Sequence, residues 1–112
     1  ILNDHTIQTI IEVIGGTGVA YTAVKTALQN GISVVTANKE LLAKHGAELR
    51  GLASSSGAQL LYEASTAAAI PVLSSLRTQL SGNKINSIRG IINGTSNYIV
   101  SQMASSNARF AS

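Results

Sequence analysis

Short runs of β-branched and aliphatic residues alternate with stretches of helical spacing along the whole chain. That alternation constrains the fold more than any other feature. Residues 7–14 hold Ile10, Ile11, Val13 and Ile14 and stop at Gly15-Gly16, which predicts a short buried strand. Residues 21–30 carry Tyr21, Val24, Ala27 and Leu28 at helical spacing, with Gly31 as the expected cap. A second buried strand is expected over 32–36, then a helix over 39–54 with Leu41, Leu42, His45, Leu49 and Leu52 on one side. Residues 59–62 predict a third strand, and Pro71 suits the first turn of a helix reaching Leu80. Residues 84–92, with Ile85, Ile88, Ile91 and Ile92, read as a longer strand, and 96–103 as a final helix. The order βαβαβαβα with short connections specifies a parallel sheet covered by helices.

Composition sharpens this reading. Of 112 residues, 45% are apolar and only 12% charged, against about 25% charged in an ordinary domain. A chain so poor in surface charge is expected to pack against more protein. The net charge is +3, eight basic residues against five acidic, and there is no basic run, so the stripe that marks nucleic-acid binding is missing. Cysteine is absent, which excludes disulfides and thiolate metal sites. No apolar stretch reaches the roughly 18 residues of a membrane span. The expectation is a protein without nucleic-acid or membrane partners, in the cytoplasm, or in a plastid if the source is a plant.

Four stretches bear on chemistry. Gly15-Gly16-Thr17-Gly18 lies between strand and helix, as a dinucleotide loop would, but the third glycine position holds Tyr21. The acidic residue expected about 20 positions on is replaced by Thr36-Ala37-Asn38-Lys39, so a tight turn beside a cofactor is favoured over the principal phosphate loop. Lys39 follows a strand end, where open α/β sheets bind ligands, and opens a helix, where the dipole disfavours a cation. A solvated surface lysine is the plain alternative. Glu63 ends a strand before the small apolar run Ala67-Ala68-Ala69, where a change of domain is most plausibly placed. Asn93-Gly94-Thr95 ends the fourth expected strand, and Thr95 or Ser96 is expected to cap the last helix, a plain turn being the alternative. Its match to a glycosylation sequon is discounted. His5 and His45 lack partners at metal spacing and read as structural.

Taken together, Ile11–Gly16, Val34–Lys39, Tyr62–Ser65 leading to Ile70-Pro71, and Gly90–Ile99 resemble homoserine dehydrogenases in residues, order and interval. The resemblance implies the later part of a Rossmann-like, NAD- or NADP-binding parallel sheet over 1–62. This runs into the first elements of an α/β substrate and dimerisation domain over 63–112. It implies interconversion of aspartate semialdehyde and homoserine by a homodimer or larger assembly. Gly15, Gly16, Thr36, Asn38 and Lys39 would face the cofactor, with Lys39 also in proton transfer, and Asn93, Gly94 and Thr95 would face the substrate. A monovalent cation, Na⁺ or K⁺, would sit mainly on backbone oxygens of Glu63, Thr66, Ala68 and Ile70. Two departures stand out. Ala68-Ala69 replaces the family's Gly-Gly, which requires a backbone without positive φ there, and the family's later motif with a second catalytic lysine would follow Ser112. The family's main glycine-rich loop would precede Ile1, so the isolated chain is expected to be inactive. The rivals are another Rossmann-type dehydrogenase and a catalytically silent interaction fragment.

Overall fold

A computed structural model describes residues 2, 4, 6–67, 70–107, 109 and 110. The chain divides into two compact units, Ile1–Ser81 and Gly82–Ser112. The first holds strands β1 (Thr9–Glu12), β2 (Ser33–Thr36) and β3 (Leu60–Leu61), which pair in parallel in the order β1-β2-β3. Helix α1 (Val19–Gln29) joins β1 to β2, and α2 (Lys39–Ser56) joins β2 to β3.

Register explains which side chains are buried. Ile10, Val34 and Leu60 form one cross-strand row, and Ile11, Val35 and Leu61 the next. Successive residues of a strand face opposite sides of the sheet, so the two rows lie on opposite faces. The first row joins a core with Val24, Ala27 and Leu28 of α1 and Leu41, Leu49 and Ala53 of α2. On the second, Ile11 is 73% exposed and Leu61 is exposed as well. The expected strands are therefore present, but helices cover only one face of the sheet among the described residues. Strands buried on both faces read as continuous apolar runs. The run 10–14 carries that signature, although one side of it is open here.

The first helix ends as its sequence suggests, one residue off. Asn30 is the cap, and Gly31 follows with φ +75°. After β3 the chain makes a 3-10 turn over Glu63–Ser65 and a short helix α3 (Val72–Ser74), which widens into a π-helical turn over Ser75–Gln79. The helix expected over 71–80 is thus real but irregular. Arg77 donates to the Tyr62 hydroxyl and lies 4.9 Å from the Tyr62 ring centroid, fastening this turn to the exit of β3.

The second unit contains helix α4 (Gly94–Ser106) and no buried residue among those described. The strand expected over 84–92 is not formed. A strand needs a neighbour to take its backbone N–H and C=O groups, and the described sheet pairs only β1, β2 and β3. The cap of α4 is Asn93 rather than Thr95 or Ser96: its extended backbone lets its side chain accept from the Ser96 amide at 2.9 Å, starting the helix earlier. No helix among the described residues is long and apolar enough to cross a membrane.

Candidate functional site

Because the three strands are parallel, their carboxyl ends share one edge of the sheet, and three of the expected sites leave from it. The β1 exit reaches Gly15 and Gly16, with φ of +81° and +66°. Two successive left-handed residues suit glycine because a Cβ would be strained there. A Cβ at either position would meet nothing within 4 Å, so this backbone turn lies open to whatever approaches it. Helix α1 then starts at Gly18 without a side-chain cap.

The β2 exit is tied to that turn. Thr36 is fully buried and pairs in register with Glu12, itself 3% exposed. Both continue the helix-facing row of Ile10 and Val34, which is why two polar residues lie inside. Thr36 Oγ1 donates to Glu12 Oε2 at 2.5 Å and accepts from the Asn38 amide at 3.0 Å. Glu12 Oε1 accepts from the amides of Ile14 and Gly15 at 2.8 and 3.1 Å. Asn38 caps α2 by accepting from the Leu41 amide at 3.0 Å, and its Nδ2 donates to the Gly16 carbonyl at 2.7 Å. Burial pushes the Glu12 carboxyl up. Hydrogen bonds from Thr36, Gly15, Ile14 and Asn38 outweigh that and hold it below the usual range.

Lys39 is the first residue of α2 and is exposed. The neighbouring Glu40 is paired with Lys44 at 2.6 Å, whereas the Lys39 ammonium has no hydrogen-bond or ion-pair partner among the described residues. An unpaired cation at a helix start is mildly unfavourable, so the position is not explained by local stability.

The β3 exit carries Glu63. Its carboxylate accepts from the amides of Leu73 and Ser74, each at 2.9 Å, tying the β3 exit to α3. Glu63 O accepts from Thr66 N at 3.0 Å, and Ile70 O from Val72 N at 2.8 Å. Ala68, with Ala69, lies outside the described residues; the adjacent Ala67 takes a positive φ of 55°. No cluster of three or more His, Cys, Asp or Glu side chains that could hold a metal is found among the described residues. His45 stacks on Tyr21 with ring centroids 4.1 Å apart, and His5 lies outside the described residues. Asn93, Gly94 and Thr95 stand at the start of α4, all exposed, in the second unit.

Glu12 escapes a reading based on motifs. The available signal is a lone carboxylate inside an apolar run, three residues before a Gly-Gly pair. Its main partner, Thr36, is 24 residues away, and only the parallel register brings the two together.

A three-stranded parallel sheet with ligand-edge turns after β1 and β2 defines a Rossmann-like α/β protein. Residues 2–63 match the family model "Homoserine dehydrogenase, NAD binding domain", and residues 71–112 match "Homoserine dehydrogenase". The chain belongs to the homoserine dehydrogenase family. It is 46% identical over 105 residues to the homoserine dehydrogenase of Neisseria gonorrhoeae, covering 94% of this chain and 24% of that protein. A solved homoserine dehydrogenase from Thiobacillus denitrificans superposes with a TM-score of 0.92 at 42% identity, over 96% of this chain and 25% of that one. A hyperthermophilic archaeal homoserine dehydrogenase solved in complex with NADPH gives a TM-score of 0.80 at 32% identity, over 88% and 30% of the two chains. The chain thus spans about a quarter of the length of the curated relatives it matches.

Proposed function

We propose that this chain supplies Lys39 as the proton-donating group of an NAD(P)-dependent enzyme that interconverts aspartate semialdehyde and homoserine. The observation that carries this reading is an exposed ammonium, without a partner among the described residues, on a buried, hydrogen-bonded turn at the carboxyl edge of the sheet, in a chain of this family. NADH or NADPH, when bound, supplies the hydride. The open backbone at Gly15 and Gly16 fits a close approach by such a cofactor, and Thr36 and Asn38 hold that backbone in place. As the aldehyde carbon gains hydride its oxygen gains negative charge, and Lys39 stabilises that charge and donates a proton to give the alcohol. In the reverse direction the lysine takes the proton back.

Asn93, Gly94 and Thr95 contribute to holding the amino-acid substrate in this reading. The family models stop at residue 63 and resume at 71, which supports a change of domain in that interval. A monovalent cation at Glu63, Thr66, Ala68 and Ile70 would rest on backbone carbonyls, because the Glu63 carboxylate is already committed to two amides. A carbonyl has two lone pairs, so the single bonds accepted by Glu63 O and Ile70 O leave capacity for a cation.

The test is Lys39→Ala in the full-length enzyme. Turnover is expected to fall by roughly 10² to 10⁴, with cofactor affinity, measured by fluorescence titration, little changed. A lysine that only neutralised phosphate would instead weaken the cofactor. Turnover within about twofold of the parent, with folding intact, removes Lys39 from the mechanism.

A further inference from the structure

The buried Glu12 carboxylate has no cationic partner among the described residues. Such a group is costly inside a protein unless hydrogen bonds replace its water. It has those bonds, and they run in one direction. A carboxylate only accepts, so Thr36 must donate to it, which turns the lone pairs of the Thr36 hydroxyl toward the Asn38 amide. The Leu41 amide fixes which end of the Asn38 side chain is oxygen, leaving its NH₂ for the Gly16 carbonyl. The Gly15 amide closes the ring back on Glu12. The open glycine turn and the first turn of α2, where Lys39 stands, are thereby one hydrogen-bonded body.

We infer that Glu12 is a positioning residue for the reaction: through Thr36 and Asn38 it sets where Lys39 stands relative to the Gly15-Gly16 turn. The inference rests on the proposed role of Lys39. Glu12 touches neither substrate nor cofactor in this reading. Its effect passes through the helix start, and a displacement of about 1 Å at such a point is enough to cost roughly 10² in rate. Glutamine at position 12 keeps the size but presents an NH₂ to Thr36. The hydroxyl can then no longer donate there while still accepting from Asn38, so the polarity of the ring fails at one joint.

The experiment is a double-mutant cycle in the full-length enzyme with Glu12→Gln, Lys39→Ala and the pair, kcat being read by single-turnover kinetics. Positioning through the lysine predicts a loss of roughly 10- to 10²-fold from Glu12→Gln when Lys39 is present. With Lys39→Ala already in place, the further loss should be less than about threefold. Equal losses in both backgrounds would overturn the inference, since a general weakening of the fold acts alike with or without the lysine. Parental kcat in Glu12→Gln would overturn it too. If Glu12→Gln does not fold, Thr36→Val breaks the same joint and is expected to follow the same pattern, with the same overturning results. Parental turnover in Lys39→Ala alone has a different signature: it refutes the lysine reading itself, and this inference with it.

Discussion

Asn38 and Asn93 begin two helices in the same way and in different surroundings. Both are extended, with φ/ψ of −84°/94° and −133°/104°, and both accept the amide three residues on, at 3.0 and 2.9 Å. Asn38 is buried, donates to Gly16 and is held by Thr36. Asn93 is exposed, and among the described residues its side chain serves the cap alone. A cap is a property of four neighbouring residues and forms wherever the spacing allows. A fixed turn needs more: side chains from another strand must complete its hydrogen bonds. The start of α2 is therefore fixed by bonds from other strands of its own unit, whereas the start of α4 rests on the local cap among the described residues.

This contrast can be sharpened or broken by substitution. The largest effect belongs to the core into which α2 packs. Leu49→Ala removes a fully buried side chain of α2 and is expected to cost about 2–5 kcal/mol, read from the slowest-exchanging amides of β2. Met103→Ala, on the partly exposed α4, should cost far less. The caps come next. Asn38→Ala loses a cap and a second bond to Gly16, for about 2 kcal/mol. Asn93→Ala loses an exposed cap, for about 1 kcal/mol or less. Hydrogen exchange at the Leu41 and Ser96 amides reports each site directly, and equal losses would erase the distinction drawn here.

The smallest effect is one of pH. The folded carboxyl of Glu12 lies below its unfolded value, so its contribution to stability is fully present above the ordinary glutamate range. That contribution is lost as pH falls through the lowered folded value. An acid titration of Glu12→Gln should therefore show less loss of stability over that window than the parent, and an unchanged slope would mean that folding does not lower the Glu12 carboxyl.

The first unit was largely legible in the residues themselves. An apolar run ending in glycine marked β1, a short β-branched run marked β2, and helical spacing marked α1 and α2, because these elements carry their periodicity within themselves. The ligand edge followed from strand order. Residues 84–92 misled for the opposite reason: a strand is completed only by a neighbour, and an isoleucine-rich run cannot state whether one is there. Asn93 was overlooked as a cap beside Thr95 and Ser96, which have the same chemistry, and only the position of the first helical turn separates them. Thr36 was visible as a site candidate and Glu12 was not, because their pairing depends on a register between strands more than 20 residues apart.

In the proposed reaction the β2 exit presents Lys39 to the reacting carbonyl. The most direct measurement is a crystal structure of the complete enzyme with NADPH and homoserine bound. Lys39 Nζ is expected within hydrogen-bonding distance, about 3 Å, of the homoserine hydroxyl, with the bonds of Glu12, Thr36 and Asn38 intact. A Lys39 side chain directed into bulk solvent, with a different group on that hydroxyl, would contradict it.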